Sequence, residues 1–258
     1  MKKFILSSVL VSGMVLGGAQ FVSADETAPE FDPIVKKDET TLGISFDTDG
    51  ATKPVEGPYK GVLSLIYVPS AFEFGKHAAT GALLDYQGLG YGENDEKQWV
   101  VVNDDRENDK LATGVKDPNS KKGDPWKLTA TMAELKSDNE VLPSTLVMSF
   151  DDVKKYDMGQ ESDGKGDIKP NPATDDHITA FDESEKHGVV LNKAVTLESG
   201  KAIEEQIFFR SEKAEGETRG KIGVASQVTG TQLTVQAPKT AAGKTYSSKV
   251  TWTLSTGL

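Results

Sequence analysis

The sequence predicts an all-β fold, an antiparallel β-sandwich or barrel-like domain with long polar loops, and three observations lead there. Apolar residues alternate with polar ones in many short runs, the two-residue period of a strand buried on one face. Between the runs stand clusters of Gly, Pro, Asn and Asp, the residues that turn a chain. Hardly any stretch carries the 3.6-residue apolar period of an amphipathic helix. Ala133 to Asn139 is expected to form one helical turn and no more.

The chain begins with Lys2 and Lys3, an apolar stretch from Phe4 to Leu16, and the small residues Val22-Ser23-Ala24 ahead of Asp25. That is the pattern of a secretory leader, residues 1–24, cleaved after Ala24. The apolar stretch is too short to span a bilayer, and no later segment carries a long apolar run. A soluble secreted chain with no membrane span is the expectation. Residues 25–40 read as a flexible N-terminal segment. Residues 41–258 read as one domain, because no Pro/Ser-rich linker divides the chain beyond Lys60.

Within that domain, Leu42, Ile44 and Phe46 mark a strand from Thr41 to Phe46, followed by a turn-rich stretch with Gly50, Pro54, Gly57 and Pro58. Leu63, Leu65 and Tyr67 mark the next, closed by Pro69. Gln98 to Val102 is a continuous apolar run whose Trp99 reads as core. Trp126, Leu128, Ala130 and Met132 form one row against Lys127, Thr129 and Thr131. Leu146, Met148 and Phe150 repeat the alternation, as do Val195 and Leu197, then Ile203, Glu205, Ile207 and Phe209 with one mismatch. Leu233, Val235 and Ala237 come next; Val250, Trp252 and Leu254 come last. Two polar stretches interrupt the pattern, residues 103–125 and 151–188. The second holds eleven carboxylates against five lysines. It reads as a solvated excursion, with a partner-binding loop as the alternative.

Composition narrows the function. No cysteine is present, so disulfides, thiol catalysis and cysteine metal sites are excluded. The chain has 40 acidic and 29 basic side chains; without the leader's two lysines the balance is 27 − 40 = −13. Such a chain is a poor ligand for nucleic acid, which needs clustered cations. Simple electrostatic adhesion to anionic wall polymers is disfavoured for the same reason.

Chemical motifs are sparse. His77, His177 and His187 match no metal-ligand spacing. Asp163-Gly164-Lys165-Gly166-Asp167 and Asp47-Thr48-Asp49-Gly50 lack the spacing of a calcium loop. There is no nucleophile elbow and no phosphate loop, and no local signature singles out a pair of hydrolase carboxylates. Leu142-Pro143-Ser144-Thr145-Leu146 echoes a sortase signal but has Leu where Gly is required. The expectation is a protein without catalytic residues, cofactor or metal.

Two places read Trp-x-Leu: Trp126-Lys127-Leu128, and Trp252-Thr253-Leu254, each continuing into a strand. With them stands Leu65-Ile66-Tyr67-Val68-Pro69-Ser70-Ala71-Phe72-Glu73-Phe74-Gly75, a strand ending in a Pro-containing turn before Phe-Gly. In these features the chain resembles the WxL-domain proteins of Gram-positive bacteria, over roughly residues 41 to 258. The resemblance implies non-covalent attachment to peptidoglycan at the cell wall, with Trp126, Leu128, Trp252 and Leu254 as its binding residues. It also implies an alternative, a protein–protein interaction module. Its ligand would be a membrane-anchored WxL-interacting protein, another surface protein, or a host surface component.

The residues themselves leave two readings of the motifs open. Trp and Leu two positions apart share one face of a strand, about 6.5 Å apart. Their same-face neighbours are apolar, which favours burial. An exposed platform on which the indoles stack against sugar rings is the other reading.

Overall fold

A computed structural model describes residues 35–43, 52–55, 57, 59–88, 97–106, 125–160, 168–182, 188–211 and 221–256, with backbone alone for 35–43 and 52–54. The leader, both calcium-like loops, His187 and most of the 103–125 stretch lie outside these residues. The described part is all β, with a single turn of 3₁₀-helix at Lys239–Ala241.

In chain order the strands are β1 (Val35–Gly43), β2 (Thr52–Pro54), β3 (Leu63–Pro69), β4 (Ala71–Glu73), β5 (Leu83–Gln87) and β6 (Trp99–Asp104). Then come β7 (Trp126–Met132), β8 (Leu135–Ser137), β9 (Glu140–Leu142), β10 (Ser144–Phe150), β11 (Lys154–Tyr156) and β12 (Ile178–Ala180). The remainder are β13 (Val189–Leu191), β14 (Ala194–Glu198), β15 (Glu205–Arg210), β16 (Ile222–Gln236) and β17 (Ser247–Thr256).

Two sheets result, and they form a sandwich rather than a closed barrel. The first runs β13-β15-β7-β17-β1-β4, with β8 on β17 and β9 on β8. Its pairs are antiparallel except the short parallel contact of β1 with β4. The second runs β12-β11-β16-β6-β3-β2. Fifteen-residue β16 organises it: the first half pairs with β6 and β11, the second with β10 and β5.

The main core lies between the sheets. Leu146, Met148 and Phe150 from β10, Val195 and Leu197 from β14, and Leu233 and Val235 from β16 meet Leu128, Val250 and Leu254 from the first sheet. Alternation in β10 and β14 follows from that single buried face.

Strand β6 does not alternate, because both of its faces are covered. Val100 and Val102 join the main core, while Trp99 and Val101 join a second cluster with Tyr59, Ile66, Tyr156 and Ile178. The second cluster lies on the outer face of the second sheet, under residues from the 151–188 stretch. That stretch, expected as a polar excursion, carries β11 and β12 and acts as a cover. The Tyr156 and Tyr67 hydroxyls both donate to the Asn171 carbonyl, over 2.6 and 2.9 Å, and so hold the cover down.

Other expectations shift. The first strand starts at Val35, inside the segment read as flexible, because its backbone pairs along the whole of β17 from Val35↔Ser255 to Gly43↔Ser247. The expected helical turn at 133–139 is a hairpin of β8 and β9. Asp138, at φ 49°, supplies the left-handed residue of its two-residue turn. A bulge between Gln206 and Phe208 buries both Ile207 and Phe208 and turns Phe209 outward, and Ile203 is exposed, so of the row expected along Ile203, Glu205, Ile207 and Phe209 only Ile207 is buried.

Close packing of β11 on β16 requires a glycine: a Cβ at Gly223 would lie 2.3 Å from the Tyr156 carbonyl oxygen. Gly223→Ala is expected to cost about 1–3 kcal/mol in chemical denaturation. Gly230→Ala, with no atom within 4 Å of the added carbon, should stay within about 0.5 kcal/mol of the parent. Alkaline titration offers a second check. Burial, then the neighbouring Tyr67, raises the Tyr156 pKa, and burial raises that of Tyr67. A raised folded-state pKa means the unfolded chain releases its proton first. Stability should therefore hold below the ordinary phenol value of about 10 and fall as pH climbs beyond it. Tyr156→Phe should flatten that fall.

Candidate functional site

The two Trp-x-Leu strands are direct neighbours. β7 and β17 pair antiparallel with Leu128 opposite Leu254, Ala130 opposite Trp252, Met132 opposite Val250 and Trp126 opposite Thr256. Residues directly opposite in a ladder share a face, so both motifs contribute to one apolar row. Trp126, Leu128, Trp252 and Leu254 are all 0% exposed. The sheet brings the four expected site residues together, and it does so inside the core.

Trp126 has a polar end to satisfy there, since a buried indole N–H costs free energy without an acceptor. Asp104, the last residue of β6 in the opposite sheet, provides one: the indole donates to its Oδ2 over 3.1 Å. Arg210, directly across from Trp126 on β15, donates to the same oxygen over 2.7 Å. Arg106 adds Nε to Oδ1 at 2.8 Å and Nη2 to Oδ2 at 3.0 Å. Asp104 and Arg210 are 0% and 1% exposed. A lone charge at that depth would be very costly; paired and hydrogen-bonded, it ties one sheet to the other. Adjacent Asp105 is also held, by the Gly61 N–H and by Lys221.

Sequence reasoning passed over this cluster. Asp104 and Arg106 stand where the polar stretch begins, and the β15 bulge hid the inward parity of Arg210. The available signal was a charged residue two positions from buried Phe208.

Opposite the core, the same strands present a different surface. Lys127, Thr131, Thr251, Thr253 and Ser255 are half-buried on the outer face, with Phe209 beside Lys127 across the ladder. Thr129, in the same row, donates to Glu204 over 3.3 Å and is covered. The described residues of this face are mainly hydroxyl-bearing, with the Phe209 ring beside Lys127. Among the described residues, no cluster of three or more His, Asp or Glu side chains is arranged to hold a metal. His77 stacks on Tyr86, and His177 is half-buried in the cover segment.

A family model described as "WxL domain surface cell wall-binding" matches residues 17–257. No curated protein and no solved structure matches the chain.

The buried cluster makes a definite prediction. Asp104→Asn removes the charge that two arginines share and should cost about 3–5 kcal/mol in urea denaturation. Trp126→Phe, which loses one hydrogen bond and part of a ring, should cost about 1–3 kcal/mol. An Asp104→Asn protein as stable as the parent would show that the sheets do not rely on this tie.

Proposed function

The chain belongs to the WxL domain family of surface cell wall-binding domains, and on that premise we propose that it is a secreted, non-catalytic surface protein of a Gram-positive cell, held non-covalently to peptidoglycan. Division of labour within the motif strands supports this reading. Inward residues Trp126, Leu128, Trp252 and Leu254 fix the positions of β7 and β17. Outward residues of the same strands then make the contact.

Hydroxyls of Thr131, Thr251, Thr253 and Ser255 can exchange hydrogen bonds with sugar hydroxyls and acetamido groups, and the Phe209 ring offers a stacking surface. On this reading the motif tryptophans serve binding through the fold rather than by touch. A non-catalytic role fits the buried acids: Asp104 is consumed by the indole and two guanidinium groups.

The alternative is a protein ligand, a membrane-anchored WxL-interacting protein or a host surface component. Co-sedimentation with protein-free peptidoglycan separates the two. The purified chain is expected to sediment with the wall polymer while the turbidity of the suspension stays constant. Lys127→Glu with Thr251→Glu on the outer row should weaken retention by about tenfold or more at an unchanged unfolding midpoint. Trp252→Phe should lower the midpoint and keep retention at temperatures where the protein stays folded. A chain that ignores bare peptidoglycan yet sediments with intact envelopes would transfer the role to a protein partner.

A further inference from the structure

A sheet that does not close on itself leaves edge strands, whose outward amide and carbonyl groups can pair with another chain. Among the described strands seven lie at an edge: β2, β4, β9, β12 and β13, of three residues each, and β5 and β14, of five. Three residues give an incoming strand little to hold. β14 is guarded by charge: Lys193, just before it, pairs with Asp152 over 2.6 Å, and Glu198 at its end pairs with Lys201. β5 has neither defence. Leu83-Leu84-Asp85-Tyr86-Gln87 carries a single charge, no lysine and no proline, and Leu83 is 67% exposed.

The backbone of β5 is aimed for such pairing. Gly88, just past the strand, donates its N–H to the carbonyl of Thr231, the next residue in register on β16. Bonds alternate along an antiparallel ladder, so Leu84 and Tyr86 bond toward β16 as Gly88 does. The N–H groups of Leu83, Asp85 and Gln87 then point to the free edge. The inner face of the same strand is only half-covered. Leu84 lies opposite Val235 and Tyr86 opposite Leu233, core residues that are 2% and 0% exposed. Leu84 and Tyr86 themselves stay half-buried, with the His77 ring stacked on Tyr86. The apolar core thus reaches the surface at β5.

We propose that β5 is a docking edge, where an extended segment of a partner protein adds as a further antiparallel strand. That segment turns apolar residues toward Leu84 and Tyr86 and a Lys or Arg toward Asp85. Main-chain bonds to a free edge supply affinity, and alternate side chains select the partner. Charge decides between occupants. Asp85 is exposed on the outer face, where it accepts from the Thr234 hydroxyl over 2.5 Å and has room for a cation. A second copy of this chain is a poor occupant. Antiparallel pairing of two β5 strands over their full length, Leu83 against Gln87, sets Asp85 against its own counterpart, and like charges directly opposite destabilise a pair. The inference is independent of wall attachment, since retention on peptidoglycan needs no strand partner.

Amide exchange and heteronuclear NMR titration of the purified full chain test it, with acetyl-Ser-Thr-Val-Lys-Val-Val-Ser-amide as the probe. One control peptide has Glu in place of Lys. The other carries an N-methyl group on the Lys nitrogen, which removes a main-chain donor to β5 and keeps every side chain. In the free chain the Leu83, Asp85 and Gln87 amides are expected to exchange about tenfold faster, or more, than those of Leu84 and Tyr86. The probe should shift the β5 resonances and protect those three amides, and each control should bind about tenfold more weakly. Asp85→Lys should invert the preference, taking the Glu peptide about tenfold better than the Lys peptide at an unchanged unfolding midpoint. Slow exchange of all five β5 amides in the free chain would overturn the proposal, because another part of the chain would already hold the edge. So would dimerisation that Leu83→Pro abolishes, equal binding of the N-methylated peptide, or a probe that leaves β5 unmoved at about 1 mM.

Discussion

A buried carboxylate holds the two sheets in register. Asp104 ends β6 in one sheet, while Trp126 and Arg210 face each other across β7 and β15 in the other, and both donate to the same oxygen. Apolar packing alone is indifferent to small slides of one sheet over another. A carboxylate with three fixed donors is not, because a displaced sheet would leave a buried charge unmet. The chain has no cysteine, so this polar tie acts without any disulfide beside it.

Placed by that tie, β7 and β17 become the centre of the first sheet, and the doubled motif acquires a physical meaning. Leu128 and Leu254 abut across the ladder, and the two indoles lie on either side of the leucine pair along the same row. Each motif supplies half of one apolar stripe. The opposite parity of the same strands is left to Lys, Thr and Ser, so a single alternating pattern yields both a core face and a polar outer face. On the far side of the molecule, the acidic 151–188 stretch seals a second, smaller core around Trp99. Asp152, Asp157, Asp175, Asp176 and Asp182 are exposed while Tyr156 and Ile178 turn inward.

Much of this was legible in the residues, for reasons that also explain the failures. Strands with one buried face, such as β10 and β14, announce themselves by alternation. Trp99 to Val102 reads as core because it is covered on both sides. The first half of β16 is covered on both sides too, but with Gly223, Ala225 and Ser226, small residues that leave no apolar signature. β1 is charged along Lys36-Lys37-Asp38-Glu39 and is a strand because β17 supplies its backbone partners, which no local pattern records. The motif residues were correctly placed on one face of their strands. Their mutual pairing was not legible, since two strands so far apart in sequence carry no mark of adjacency. Asp104 and Arg210 stayed hidden because a charged residue in a polar run looks solvated until the opposing sheet is known.

The position of β17, between β7 and β1, also sets the order in which the molecule can form. Val35 meets Ser255, almost the full length of the domain away, so the middle of the first sheet can close only after nearly every residue is available. Closing so large a loop is entropically slow, and sheets built from such distant pairs assemble late. Until then, the inner rows of β7 and β15 have no strand between them and β1. The first sheet of a partly made chain thus remains open in the middle, and arrival of β17 is the event that closes it.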